Sequence, residues 1–269
     1  MRDFTRDLPP HTQLWMGEND LFLEVYPGTD QKRPPLLFVH GAFTGSWMWS
    51  KYLPHFIQAG WTCMAMNLRS HYKSRSMDLT RITFEDYLQD IQEVLSICET
   101  PPVLIGFSMG GILGQKIAEK HPLSGLVLID PVISREVHEL VPYPALDSRT
   151  FGGVVPAPAR EEERSMDESP EDILFQRKYL SMEAGQAFAA FVFSAQSNGI
   201  SVNAQAITCP TLVIHANNSE QDHQRGAKMA ELYRAEHVGL WNTTHTGLLV
   251  GQRYREGADA VLDWLDRHF

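Results

Sequence analysis

The stretch V-L-I-G-F-S-M-G-G-I-L-G, residues 103–114, decides how this chain is read. An apolar run ends in Gly106-Phe107-Ser108-Met109-Gly110, a G-x-S-x-G pattern, and apolar residues at helical spacing follow. A strand that turns straight into a helix at a serine lifts that hydroxyl to the C-terminal edge of a sheet. The flanking glycines remove Cβ atoms where two backbones must pass closely. The stretch therefore predicts a nucleophile, Ser108, on a strained strand-to-helix turn.

On either side of it, short apolar runs predict strands at 21–26, 35–39, 61–67, 125–129, 211–216 and 237–241, with 103–107 among them. Amphipathic stretches such as 84–97 and 109–120 lie between several of these. Near-continuous apolar strands alternating with helices predict an α/β fold, a mostly parallel central sheet with helices on both faces. The first strands lack an intervening helix and are expected to form an antiparallel edge. Residues 131–209 break the rhythm. A Pro-rich segment, V-P-Y-P-A-L-D through V-V-P-A-P-A-R, leads to the acidic run E-E-E-R-S-M-D-E-S-P-E-D and a helical stretch at 173–195. So long a structureless loop would be unusual in a compact domain, which predicts a small, mainly helical insertion. The acidic run reads as solvated surface, with no His or Cys nearby to complete a metal site.

Composition narrows the classes. The chain has 269 residues, 43% of them hydrophobic, which suffices for a substantial core. A net charge of -10, from 23 basic and 33 acidic residues, argues against a nucleic-acid surface or an anionic membrane as partner. No apolar run approaches a membrane span and no secretory signal is evident, so a cytoplasmic location is expected. Cys63, Cys98 and Cys209 are far apart and read as free thiols.

Two further segments carry chemistry. In L-L-F-V-H-G-A-F-T-G-S-W-M-W, residues 36–49, a strand ends at His40-Gly41. The loop after it can present an amide, best Ala42 with Phe43 as second choice, to a developing oxyanion. The Met109 amide is the natural second donor. His40 reads as a structural residue that hydrogen-bonds this loop. In W-N-T-T-H-T-G-L-L, residues 241–249, His245 follows the last strand and is placed to act as general base toward Ser108. His215, at a strand end, is the weaker candidate.

These segments, in the order Ser108…acid…His245, resemble the α/β-hydrolase fold superfamily, over essentially the whole core. H-G-A-F-T-G-S-W-M-W followed by Y-L-P-H-F-I-Q-A-G-W, together with P-P-V-L-I-G-F-S-M-G-G, is similar to its serine esterase, lipase and hydroxynitrile-lyase-like members. The resemblance implies a core at 1–130 and 208–269 and a helical cap at 131–207 that shapes the pocket. Three departures from the family stand out. The turn after residues 211–216 carries Asn218 and Ser219 where members commonly place the triad Asp. The family's R-G-x-G-x-S loop is Arg69-Ser70-His71-Tyr72-Lys73-Ser74, which directs Tyr72 or His71 toward the site. Phe107 replaces the His that often precedes the nucleophile.

The missing acid directs attention to Asp130, at the end of G-L-V-L-I-D-P-V, with Glu220 and Asp222 as rivals and no acid as the remaining option. Asp222 also reads as an N-cap of the helix that follows it. The expected function is cleavage of a carboxylic ester or related acyl bond by a Ser-His-acid triad, without metal or cofactor. A serine nucleophile disfavours chemistry that passes through an alkyl-enzyme ester. A lyase, cyclase or cofactor-free oxygenase on the same scaffold is the alternative, and a small-molecule receptor a third. The partner expected is a small-molecule substrate with an apolar portion, contacted by Phe43, Phe107, Trp47 and Tyr72. The neighbouring Met48 and Trp49, and the apolar stretch A-F-A-A-F-V-F at 187–193, extend that wall.

Overall fold

Alternate residues of the central strands face opposite sides, so an apolar run buries both faces of a sheet only where helices cover both. The computed structural model describes residues 2–146 and 153–269 and shows this arrangement. In chain order the elements are β1 (Thr12–Met16), β2 (Leu21–Tyr26), β3 (Leu36–Val39), α1 (Leu53–Gln58), β4 (Cys63–Met66), α2 (Phe84–Leu95), β5 (Val103–Phe107), α3 (Met109–Ala118), β6 (Gly125–Ile129) and α4 (Arg135–Leu140). Next come β7 (Val154–Val155), α5 (Pro170–Tyr179), β8 (Glu183–Ala184), α6 (Gly185–Phe191), β9 (Phe193–Ser194) and β10 (Ser197–Asn198). The chain closes with β11 (Thr211–Asn217), α7 (Glu220–Tyr233), β12 (Glu236–Trp241), α8 (Gly247–Val250) and α9 (Tyr254–His268).

Among the described residues, eight strands form one sheet in the order β1-β2-β4-β3-β5-β6-β11-β12. The β1–β2 and β2–β4 pairs are antiparallel and all later pairs parallel, as expected. Leu37, Val39, Leu104, Leu126 and Leu128 join a core beneath α2, α3 and α7. Their neighbours Leu36, Phe38, Val103, Ile105, Val127 and Ile129 join a second core under α8 and α9. The edge strand β1 lacks this signature. Four of its five residues are exposed, so no apolar alternation marks it in the sequence.

Between β6 and β11 the described residues add no strand to this sheet; β7 pairs β8 and β9 pairs β10 in two small ribbons. Residues 147–152 of the Pro-rich segment lie outside the described residues. The single helix expected at 173–195 is instead α5 and α6. Ser169 and Asp172 close a capping box at the start of α5, with Pro170 in its first turn. The helix stops because residues 180–184 turn inward, where the Ser181 amide bonds the Phe43 carbonyl at 2.9 Å and Glu183 is buried. All three cysteines are free. Among the described residues no helix is long and apolar enough to cross a membrane.

Candidate active site

Ser108 joins β5 to α3 with φ 53° and ψ -118°, a conformation costly for any residue with a Cβ. Close packing around it enforces the turn. A Cβ on Gly110 would lie 2.2 Å from the Val39 carbonyl oxygen, and one on Gly106 would lie 2.4 Å from that of Gly110. Ser108 is also tied to the neighbouring strand end. Ser108 donates its amide to the Ile129 carbonyl at 3.2 Å, and Val132 donates to the Ser108 carbonyl at 2.9 Å. These two bonds bracket Asp130.

Asp130 itself has φ 39°. Its Oδ1 accepts the Ala216 amide at 3.0 Å, and its Oδ2 lies 2.5 Å from His245 Nδ1. A carboxylate can only accept here, so Nδ1 carries the proton and Nε2 is left as the basic nitrogen. Burial opposes ionisation of Asp130. The hydrogen bond and the positive potential of His245 outweigh that cost and hold the carboxyl below its ordinary value. The His245 ring stacks on Phe107 at 4.6 Å between centroids, which gives the residue before Ser108 a defined packing contact. Ser108 and His245 face one cavity without a hydrogen bond between them.

The rival acids lie elsewhere. Glu220 is exposed and, among the described residues, accepts only from Gln224. Asp222 accepts from the Asn218 amide at 3.1 Å, the Ser219 hydroxyl at 2.8 Å and Arg225 at 2.8 Å. It is not the N-cap of α7; Ser219 is, and Asp222 lies in the first turn, where its amide donates to the Ser219 hydroxyl.

The Phe43 amide donates to Glu183 Oε2 at 3.2 Å, and Phe43 takes φ 67° to do so. No such partner engages the amides of Ala42 or Met109 among the described residues. The cavity shared by Ala42, Ser108, Asp130 and His245 has a volume of about 640 Å³. Its walls are largely aromatic and aliphatic, with Phe43, Phe107, Phe188, Phe191, Phe193 and Leu180 prominent.

A model of the alpha/beta hydrolase family matches residues 36–260. The chain belongs to this family. Among curated relatives, a pyrethroid hydrolase of Sphingobium wenxiniae is 24% identical over 101 residues, 37% of this chain and 36% of that protein. A putative non-heme haloperoxidase of Mycobacterium phage D29 is 29% identical over 114 residues, 39% of this chain and 38% of its own. The match thus spans well under half the length of either relative. A carboxylesterase structure from Nitrososphaera gargenis superposes with a TM-score of 0.69 at 17% identity, covering 96% of this chain and 98% of that one. At that identity the likeness establishes the shared fold.

Two residues expected from the sequence to contact substrate, Trp47 and Tyr72, lie outside the cavity of this alpha/beta hydrolase. Trp47 is buried in the second core, stacked on Tyr179 at 5.6 Å and edge-on to Phe175 at 5.4 Å. Tyr72 packs against Tyr179 at 5.7 Å and Phe22 at 6.1 Å, in a separate surface groove. Met48 and Trp49 are likewise core residues. Aromatic side chains satisfy a core as readily as a pocket, and sequence does not separate the two uses. His71 does not enter the site either. It is wholly buried and its Nε2 lies 3.0 Å from Glu183 Oε2. Burial alone would lower the His71 pKa, but the Glu183 charge raises it above the ordinary value.

His40 does hold the loop after β3. Its Nδ1 donates to the Gly41 carbonyl at 2.8 Å and its Nε2 accepts the Leu68 amide at 3.1 Å. Burial, with the neighbouring His71, lowers its pKa to about 3 and keeps it neutral. His215, the weaker base candidate, lines the cavity, 2% exposed and with neither ring nitrogen partnered among the described residues.

The acidic run is only partly a solvated surface. Glu161, Glu162 and Glu163 are exposed, whereas Asp167, Glu168 and Asp172 are at most 4% exposed. Asp172 pairs with Lys51 at 2.7 Å. Asp167 and Glu168 reach the turn that carries His245. Glu183, equally unforeseen, accepts from Phe43, His71, the Tyr87 hydroxyl at 2.5 Å and the Ala184 amide at 2.8 Å.

Proposed function

We propose that this protein is a serine hydrolase that cleaves a carboxylic ester or a related acyl bond of an uncharged substrate with a sizeable apolar portion. The observation that carries this reading is the Asp130–His245 hydrogen bond of 2.5 Å beside Ser108 on its strained turn. In this reading the Ser108 hydroxyl attacks the acyl carbon and gives its proton to His245 Nε2. The Ala42 and Met109 amides stabilise the oxyanion, and Asp130 stabilises the imidazolium. Collapse of the tetrahedral species expels the alcohol, which takes the proton from His245. A water, deprotonated by His245, then attacks the acyl-enzyme, releasing the acid and restoring Ser108. Residues 131–207 serve as a cap over the cavity.

The neutral substrate follows from the charges facing the cavity. Arg160 is engaged by Glu162, Glu168, Gln176 and Thr246, while Asp130 and Asp222 are already paired. No free cation awaits a substrate carboxylate among the described lining residues, and aromatic walls favour apolar groups.

Labelling with a fluorophosphonate, combined with a panel of p-nitrophenyl esters of rising acyl length, tests the proposal. The expected result is a Ser108 adduct, turnover of medium or long acyl esters, and loss of both in Ser108→Ala. Labelling without turnover on any ester, thioester or lactone would move the protein to lyase-like chemistry, where Ser108 and His245 shuttle protons without a lasting acyl-enzyme.

A further inference from the structure

His245 stands on a turn with little fold of its own. It follows β12, precedes the four-residue α8, and its side chain is 48% exposed. Short exposed turns are the segments most prone to local opening, yet a general base must be held to within a fraction of an ångström of its proton. Two buried carboxylates of the acidic run supply the restraint. Asp167 accepts the Thr244 amide at 2.9 Å and the Thr244 hydroxyl at 2.6 Å. Its own carbonyl accepts the Gln252 amide at 2.7 Å, beyond the other end of α8. Glu168 accepts the Thr246 hydroxyl at 2.7 Å and is held in turn by Arg160 at 2.7 Å and Gln176 at 2.7 Å. A Cβ on Gly247 would fall 2.2 Å from Asp167 Oδ2, so the carboxylate is seated directly on the turn.

We propose that Asp167 and Glu168 are positioning residues for His245, clamping Thr244 and Thr246 on either side of it so that its ring stays aligned between Asp130 and Ser108. The inference rests on the serine hydrolase reading for its kinetic consequence, but its geometric content is independent of that reading. Thr244 is the point of leverage, because it receives Asp167 through both backbone and side chain while its hydroxyl also accepts the Gly247 amide at 3.0 Å. The segment proposed to cover the cavity is, on this view, part of the catalytic frame. Residues 160–176 then stay in place during turnover.

The test compares Thr244→Val, Thr244→Ser, Asp167→Asn and Glu168→Gln with the wild type. Thermal melting serves as the folding control, with kcat and KM on a p-nitrophenyl ester and the His245 imidazole titration followed by NMR. Thr244→Val and Asp167→Asn should lower kcat by about 10-fold to 100-fold with KM changed less than about 2-fold, and shift the His245 titration. Thr244→Ser should restore both to near wild type. A folded Thr244→Val protein with unchanged kcat and unchanged His245 titration would overturn the clamp. If the wild type neither labels nor turns over, the hydrolase reading fails, and the His245 titration alone decides the clamp. Should Asp167→Asn not fold, the Val and Ser pair at position 244 decides it.

Discussion

Replacing Asp130 by Asn removes one charge and keeps the shape, and the hydrogen bonds of this residue determine the consequence. Oδ1 accepts the Ala216 amide at 3.0 Å, and an asparagine would keep its oxygen there because its NH2 group cannot accept. The NH2 group then faces His245 Nδ1, where the carboxylate oxygen now sits at 2.5 Å. Two donors cannot share that contact, so the imidazole shifts its proton to Nε2, the nitrogen that must stay free to deprotonate Ser108. The tautomer change is expected to lower kcat by about 10⁴-fold, its usual cost in a Ser-His-Asp triad, equivalent to about 5 kcal/mol of transition-state stabilisation. KM should change little, because Asp130 does not bind substrate in this scheme. Steady-state hydrolysis and the fluorophosphonate labelling rate should fall together, with melting near that of the wild type. Glu220→Gln and Asp222→Asn serve as controls and should stay near wild type, since neither carboxylate touches His245. An Asp130→Asn enzyme within about 10-fold of wild-type kcat/KM would refute the assignment of the acid. Because the Asp130 carboxyl is held below its ordinary value of 3.8, its protonation should leave no step in the wild-type kcat/KM profile at or above that pH.

Two other perturbations probe the frame around the site. Glu183→Gln should destabilise the protein by about 3–5 kcal/mol in chemical denaturation, because it breaks a buried pair and leaves His71 without its counter-charge. Glu183 has a lowered pKa, so its contribution is present above the ordinary 4.5 and lost as pH falls through the folded value. His71 has a raised pKa, so its contribution is present below the ordinary 6.5 and lost as pH rises through the folded value. The gap between variant and wild type should therefore be widest between pH 4.5 and 6.5, and a gap that widens steadily toward alkaline pH would contradict the pairing. Gly110→Ala places a Cβ 2.2 Å from the Val39 carbonyl oxygen, and a loss above about 4 kcal/mol or failure to fold is expected; a well-folded variant with wild-type melting would show that the turn has slack.

What the sequence discloses and what it hides depend on the range of the forces involved. Apolar runs report burial within a few residues, so β3, β5, β6 and β11 are legible nearly to the residue. The Ser108 turn is equally local, because the glycines around it leave a pattern that only close packing requires. Asp130 is legible as a carboxylate at a strand end, and the structure sets it against His245 across 115 residues of chain. The acidic run misleads for the opposite reason. Charge density predicts solvation unless partners are known, and the partners of Asp167 and Glu168 lie 77 and 78 residues away at Thr244 and Thr246. Glu183 gives no local sign at all, since its burial depends on His71, Tyr87 and the Phe43 amide, which are distant in sequence.

In the proposed triad, the turn after β11 allows the acid to stand one strand away from its common place. Asn218 does not point a charge at the imidazole; its Nδ2 donates to the Thr243 carbonyl at 2.7 Å. The residues flanking His245 are thus held from two directions, Thr243 by Asn218 and Thr244 and Thr246 by Asp167 and Glu168. The ring is relieved of any duty in fixing its own loop and needs only an acceptor at Nδ1. Asp130 can supply that from β6 because β11 lies between β6 and β12, and the Ala216 amide of β11 fixes the carboxylate where the two strand ends meet. Separating the charge from the anchor means that loss of either should impair the site differently. Without Asp130 the tautomer is wrong in a well-placed ring; without the clamp the tautomer is right in a ring that wanders.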